Sequence, residues 1–134
     1  MSIESIVSAQ RAYFAKSETL DITFRKAALR KLRNTILARE SEINEALFRD
    51  LNKSASESYM CELGMTLAEL NYVLAHVDRW AKKHPVLTPL AQFHARSFTV
   101  HNPYGVVLIM SPWNYPFMLT MEPLIGALAA GNCC

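Results

Sequence analysis

The chain has 134 residues, a mass of 15.1 kDa and 51% hydrophobic residues, which is enough for one domain with a hydrophobic core. Its 14 basic and 12 acidic residues give a net charge of +2, so we expect neither a nucleic-acid partner nor a membrane partner. The three cysteines, two of them adjacent, do not make a disulfide framework and predict a reducing, cytoplasmic location.

The first part of the chain predicts three amphipathic helices. Ser2 caps a first helix that runs to about Lys16, and Asp21 caps a second. Ser41 opens a third helix, which ends near Asn52.

The second helix has an apolar side and a basic side. Apolar residues recur every four positions and predict the buried face: Phe24, Ala28, Leu32 and Ile36. Basic residues fill the other side: Arg25, Lys26, Arg30, Lys31 and Arg33. We interpret this side as a solvated face rather than an anion site, because acidic residues elsewhere balance the charge.

Residues 54–57, SASE, have the spacing of a capping box and precede the longest helical pattern in the chain. That pattern predicts one helix from about Ser56 to Lys83, ended by His84 and Pro85. Apolar residues three and four apart form one line along it, the apolar seam: Met60, Leu63, Leu67, Leu70, Leu74, Val77 and Ala81. We expect the seam to pack within the chain, since about three heptads are the minimum for the alternative, a coiled-coil dimer.

An irregular crossing follows at residues 86–95, and alternating residues predict a half-buried strand at 96–101. Residues 106–110, VVLIM, form a short apolar run between Gly105 and Ser111. Such a run predicts a strand that is buried on both faces, as in a parallel sheet. Ligands bind at the carboxyl ends of such strands in open α/β sheets, so the turn that follows is the candidate site.

This turn, SPWNYP at residues 111–116, holds Asn114 between Pro112 and Pro116. The prolines limit backbone movement, and a neutral carboxamide donates hydrogen bonds without carrying charge. Such a donor suits an oxyanion. Two alternatives stay open at this point: Asn114 as a residue that only satisfies a turn, and Trp113 as a core residue.

Pro116 is expected to begin the next helix, and Pro123 to kink or restart it, before Gly131 and Asn132 end it. A second parallel strand should then begin at residues 133–134. A buried strand whose crossover helix returns to no partner is half of a βαβ unit, so we expect the sequence to be a fragment.

Residues 105–117, GVVLIMSPWNYPF, together with residues 122–132, EPLIGALAAGN, resemble the first cofactor-domain strand and helix of the NAD(P)-dependent aldehyde dehydrogenases. The sequence is most similar to their short, family-3-like branch. The resemblance covers all 134 residues but only the amino-terminal portion of such an enzyme.

The resemblance implies an α/β fold: amino-terminal helices plus the first strand and helix of an open, parallel, Rossmann-like cofactor domain, incomplete. Residues 1–85 would be the helical part of that domain. Residues 86–103 would be the crossing segment and the start of an oligomerisation hairpin, and the full-length protein would be a homodimer. Residues 104–134 would be the first β-α unit of the NAD(P)-binding sheet, truncated.

The implied reaction is the oxidation of an aldehyde to a carboxylate with NAD or NADP, through a cysteine thiohemiacetal. Asn114 matches the family's side-chain oxyanion donor. Ser111, Pro112 and Trp113, with Asn114, match the segment that lines the cofactor site. The positions that face the aldehyde tunnel are matched by three residues: Tyr115, Met118 and Leu119.

The family's nucleophilic cysteine and general-base glutamate lie further along the chain than residue 134. Cys61, Cys133 and Cys134 match neither, and we interpret them as structural thiols. The four histidines have no metal-ligand spacing, so no metal is expected. The fragment itself is therefore expected to be inactive. Two alternatives remain: a non-catalytic helical module that binds through the apolar seam, and an enzyme that passes the acyl group to coenzyme A.

Overall fold

The computed structural model describes residues 2–134, which are mainly helical. The helices in these residues are α1 (Ile3–Phe14), α2 (Ile22–Ala38), α3 (Glu40–Leu51), α4 (Ala55–Ser58), α5 (Gly64–Trp80) and α6 (Met118–Ala130). Short 3-10 turns lie at Glu18–Leu20 and Leu90–Gln92, and a π-helical turn lies at Tyr59–Leu63. Strands β1 (His84–Val86) and β2 (Ser97–Thr99) pair antiparallel, with Pro85 opposite Phe98.

Side-chain caps begin three of the helices as the sequence predicts. Ser2 Oγ accepts a hydrogen bond from Ser5 N at 3.2 Å, and Asp21 Oδ1 accepts one from Thr23 N at 2.7 Å. Ser54 Oγ accepts from Glu57 N at 3.2 Å, so the predicted capping spacing is confirmed. Helix α3 begins at Glu40, one residue before the predicted opening.

Replacing Asp21 with alanine should lower the free energy of unfolding of the chain by about 1 kcal/mol, because the Thr23 amide loses its cap. Urea unfolding followed by circular dichroism, at low protein concentration, measures this change. Asp21→Asn keeps an acceptor at the same place and should lose much less. Equal losses in the two variants would contradict the capping role.

The hydrophobic core lies between α5, α2 and α6. It consists of Leu29, Ile36, Leu67, Leu70, Val73, Val77, Ile125 and Ala129. The middle of the apolar seam is therefore buried within the chain, as expected. The seam is shorter than predicted, because Met60 and Ala81 are exposed. The predicted long helix is present, since the chain is helical without interruption from residue 55 to residue 80, but it contains a π-helical turn between α4 and α5 that changes the helical register.

Arg25 is buried, which corrects the prediction that it belongs to a solvated basic face. Its guanidinium donates to three backbone carbonyls: Thr19 O at 2.8 Å, Leu20 O at 2.9 Å and Ala129 O at 3.3 Å. Burial lowers the pKa of Arg25, and the negative charge of Asp21 opposes this effect. Arg25 thus links the start of α2 to the end of α6, while Phe24, expected to be buried, is exposed.

The chain after α6 returns to lie parallel to the extended segment before the candidate site. Val106 and Cys133 form a parallel bridge, in which Val107 N donates to Cys133 O at 2.9 Å and Cys133 N to Gly105 O at 2.8 Å. Gly131, with a φ of 92°, ends α6 in the left-handed region as predicted. Residue 133 therefore takes the position at which the sequence predicts a second parallel strand.

The apolar run of residues 106–110 is not buried on both faces, which corrects a second prediction. Leu108 is 82% exposed and Met110 is 84% exposed. In the described residues the run is paired only through the bridge at Val106, so nothing covers its far end. The predicted half-buried strand at 96–101 is shorter and more exposed than expected, because β2 has β1 alone as its neighbour.

Helix α6 also differs from its predicted form. It begins at Met118, two residues after Pro116, and it continues through Pro123 as one helix. Of the two effects expected of Pro123, a kink or a restart, the restart does not occur.

Candidate functional site

The residues predicted to form the site lie on one continuous segment, residues 111–119, between the extended run and the first turn of α6. Ser111 is half-buried, and its Oγ lies 2.6 Å from Thr120 Oγ1. Thr120 Oγ1 also donates to Pro116 O at 2.6 Å. These two contacts hold the ends of the turn against the start of α6.

Asn114 is exposed, and its side-chain amide has no hydrogen-bond partner among residues 2–134. Its backbone carbonyl, in contrast, accepts a hydrogen bond from Lys53 Nζ at 3.1 Å. The carboxamide is thus accessible while the backbone that carries it is anchored. An oxyanion site needs such a preorganised donor in a place from which water is excluded; residues 2–134 supply the donor but leave it exposed.

The neighbours of Asn114 differ in their accessibility. Pro112 is exposed and Trp113 is 85% exposed, so the alternative that Trp113 is a core residue is wrong for the described chain. The Tyr115 ring lies against Lys53, with Nζ 4.1 Å from its centroid. Met118 and Leu119 are half-buried in the first turn of α6.

A buried ion pair lies beneath the turn. Lys53 Nζ is 2.5 Å from Glu62 Oε1. The other carboxylate oxygen of Glu62, Oε2, accepts from the backbone N–H of Phe117 at 2.8 Å and of Met118 at 3.3 Å. Glu62 therefore caps α6, and Lys53 contacts the residue that carries the candidate donor.

Sequence reasoning missed both members of this pair. No sequence signal points to the burial of Glu62, because its neighbours at helical spacing, Ser58 and Thr66, are polar as well. The structure shows all three to be buried, and a carboxylate is almost never fully buried unless it is paired.

Cys133 and Cys134 do not have the properties of an activated nucleophile. Burial raises the pKa of Cys133, and burial together with the charge of Cys133 raises the pKa of Cys134. A reactive thiol needs a lowered pKa, so these two thiols stay protonated at neutral pH. Within residues 2–134 no group of three or more His, Cys, Asp or Glu side chains is placed to hold a metal ion. No described helix is both long and apolar enough to cross a membrane.

The extended run, the crossover helix α6 and the returning parallel bridge define the opening unit of an open α/β domain, with the candidate site at the carboxyl end of its first extended segment. The family described as "Aldehyde dehydrogenase family" matches residues 1–134, so the chain belongs to that family.

Its relatives include enzymes of the family-3 branch. The chain is 45% identical over 130 residues to the 4,4'-diaponeurosporen-aldehyde dehydrogenase of Staphylococcus aureus, covering 97% of this chain and 28% of that protein. It is 39% identical over 132 residues to rat (Rattus norvegicus) aldehyde dehydrogenase family 3 member B1, covering 98% of this chain and 28% of that protein. The chain thus spans little more than a quarter of the length of these relatives and corresponds to their amino-terminal part.

Solved structures agree with this assignment. The structure described as the substrate-bound state of Staphylococcus aureus AldH matches with a TM-score of 0.95 and 45% identity, over 98% of this chain and 29% of that one. The succinic semialdehyde dehydrogenase of Streptococcus pyogenes, in complex with NADP+, matches with a TM-score of 0.78 and 20% identity, again over 98% of this chain and 29% of that one. At that identity the second match shows the fold alone.

Proposed function

We propose that the chain is the amino-terminal part of an enzyme that oxidises aldehydes to carboxylates with NAD or NADP through a cysteine thiohemiacetal. Membership of the family supports this function over the whole chain. The observation that carries it for this site is the exposed Asn114 carboxamide on an anchored turn at the end of the extended run.

In this function Asn114 binds the oxygen of the reacting carbonyl. Its side-chain N–H donates to that oxygen as negative charge develops during attack by a cysteine thiolate from elsewhere in the full-length protein. Pro112 and Pro116, two residues to either side of Asn114, limit the movement of its backbone, and the Lys53 contact holds its carbonyl. The donor is therefore in place before the reaction begins. Tyr115, Met118 and Leu119 would then line the path of the aldehyde.

The cofactor would lie beside Ser111, Pro112, Trp113 and Asn114. The exposed faces of Pro112 and Trp113 fit a flat, partly apolar group, and Asn114 next to them offers polar contacts. When bound, the nicotinamide supplies the hydride acceptor. The role of these residues is to orient the reacting groups and to keep water from one side of them.

We also propose that the full-length protein is a cytoplasmic homodimer. Three free cysteines support a reducing compartment. The segment around the β1–β2 hairpin exposes Leu87, Leu90 and Phe93, which supports a role in subunit contact. Size-exclusion chromatography with light scattering tests the oligomeric state of the full-length protein.

The assay that tests the enzyme class uses the full-length protein with an aldehyde and either NAD or NADP, and it follows the reduced cofactor. Formation of the free acid supports water as the acyl acceptor. Dependence on added coenzyme A, with an acyl thioester as product, supports the alternative acceptor. No cofactor reduction with a range of aldehydes would refute the proposed function.

The interaction module is the weaker alternative. It requires a free apolar seam, but the middle of the seam packs against α2 and α6 in this chain. No other observation favours it.

Residues 1–134 alone should not produce reduced cofactor from an aldehyde and NAD(P), because no cysteine among them matches the family's nucleophile. The raised pKa values of Cys133 and Cys134 also oppose turnover, because the thiolate and not the thiol is the nucleophile. A steady-state assay of the purified chain, with the full-length protein as the positive control, measures this. Sustained turnover by the short chain would refute the expectation.

A further inference from the structure

Lys53 and Glu62 are buried, although the turn they contact is largely exposed. Glu62 is 0% exposed and Lys53 is 7% exposed. Desolvation of two buried charges opposes their attraction, and a hydrophobic pair of similar volume is often at least as stable. The stability of the fold is therefore a weak explanation for this pair.

Lys53 fixes the first half of the turn. Its ammonium contacts three groups: Glu62 Oε1 at 2.5 Å, Asn114 O at 3.1 Å and the Tyr115 ring centroid at 4.1 Å. The carbonyl and the carboxamide belong to the same residue, so holding the carbonyl restricts the backbone rotation that would move the carboxamide. Lys53 thus acts on the direction of the donor without approaching the reacting carbonyl.

Glu62 fixes the second half of the turn. Its Oε2 accepts from the amides of Phe117 and Met118, which begin α6. A carboxylate at this helix end is also favoured by the helix dipole. Pro116, between the two anchored parts, has no N–H and a restricted φ. The ion pair therefore holds the backbone on both sides of Pro116.

The π-helical turn places Glu62 beneath the site. Gly64 N donates to Tyr59 O, five residues earlier, which gives this segment its extra residue. A Cβ on Gly64 would lie 2.7 Å from Tyr59 O, so the close turn depends on glycine at this position. π-Helical turns are found frequently at functional sites.

We propose that the buried Lys53–Glu62 ion pair positions the Asn114 carboxamide for binding of the oxyanion. Lys53 and Glu62 are positioning residues, since both side chains are buried and their polar atoms contact each other and the turn. The inference rests on the proposed function and deepens it, because it assigns the position and orientation of the Asn114 carboxamide to two residues outside the site.

Replacing Lys53 with methionine in the full-length protein should lower kcat by roughly 10- to 100-fold, since a displacement of about 1 Å at a reacting group costs on the order of 10²-fold. The KM for NAD or NADP should change by a smaller factor than kcat, because the turn also lines the proposed cofactor site but the oxyanion contact acts only in the transition state. The matched control is Asp78→Asn. This variant removes one charge from another ion pair between residues distant in sequence, in which Lys26 Nζ lies 2.5 Å from Asp78 Oδ2. The Lys26–Asp78 pair does not contact the turn.

A double variant separates positioning from stability. Lys53→Met with Glu62→Gln leaves no buried charge beneath the turn, so the thermal midpoint lost in Lys53→Met should largely return. Its kcat should stay low, because no side chain donates to the Asn114 carbonyl. Recovery of both the midpoint and kcat would overturn the proposal, since the pair would then act on stability alone.

Hydrogen exchange provides a readout that does not depend on activity. Backbone amides in a peptide covering residues 111–121 should exchange faster in Lys53→Met and in Glu62→Gln than in the unmodified full-length protein, and at an unchanged rate in Asp78→Asn. Equal exchange in all of these proteins would overturn the positioning role. If the unmodified protein does not oxidise aldehydes, the proposed function fails, and the exchange comparison alone decides the positioning role.

Discussion

Under the proposed function, replacing Asn114 with alanine should lower kcat of the full-length protein by roughly 10²- to 10³-fold, because one preorganised donor to the developing oxyanion would be lost. The side chain is exposed and makes no hydrogen bond within residues 2–134, so its removal leaves no buried group without a partner. Protein stability should therefore change little. Steady-state kinetics together with a thermal unfolding curve measure the two effects separately.

Two further variants make this prediction specific. Asn114→Asp keeps the shape of the side chain but places a negative charge next to the oxyanion, so kcat should fall at least as far as in the alanine variant. Asn71→Ala removes the same chemical group from the exposed surface of α5 and should leave kcat unchanged. An Asn114→Ala enzyme with kcat close to that of the unmodified protein would refute the role of this carboxamide.

Replacing Arg25 with alanine should lower the free energy of unfolding of the chain by about 3 kcal/mol, because three backbone carbonyls lose a charged donor together. The acceptors belong to the turn before α2 and to the end of α6, so both regions lose their link. Gly131 lies against the same guanidinium, since a Cβ there would be 2.8 Å from Arg25 Nε. Urea unfolding measures the loss, and we expect a lower midpoint with an unchanged slope of the free energy of unfolding against urea concentration.

The controls for Arg25 test geometry and location. Arg25→Lys keeps the charge but not the planar fork, so one ammonium reaches fewer of the three carbonyls and the loss should be intermediate. Arg30→Ala removes the same side chain from an exposed position of α2 and should change the free energy by less than about 0.5 kcal/mol. Equal losses at positions 25 and 30 would show that the three carbonyl contacts do not stabilise the fold.

Local rules predicted the parts of the fold that depend on neighbours in sequence. The caps at Ser2, Asp21 and Ser54 follow from side chains that reach amides two or three residues away. The burial of Leu67, Leu70 and Val77 follows from spacing alone. These features need no knowledge of distant residues.

The errors in burial at Arg25 and in the apolar run involve distant partners. Arg25 looks like a surface residue until α6 brings Ala129 O within reach of its guanidinium. The burial predicted for Leu108 and Met110 requires neighbouring strands and helices, which a periodic pattern cannot supply. Composition and spacing indicate which side chains need a hydrogen-bond or packing partner. Which of them have one depends on the tertiary contacts.

At the candidate site, too, the sequence predicts the local features and not the contacts between distant residues. Two prolines, an asparagine and a preceding apolar run indicated the segment, and the structure places all of its residues on one turn. The contact between Lys53 and Asn114 joins residues 61 positions apart, so no local motif could reveal it.

The parallel bridge between Val106 and Cys133 has a consequence for synthesis on the ribosome. Next to this bridge, Asn132 Oδ1 accepts a hydrogen bond from Gly105 N at 2.9 Å, and Cys133 pairs with the backbone of Gly105 and Val107. Residues 132–133 therefore set the register of the chain after α6 against the extended run. Domains generally fold from the amino terminus during translation. We therefore expect a strand that continues from Cys133 to keep the register that this bridge sets, which a shift by one residue would reverse.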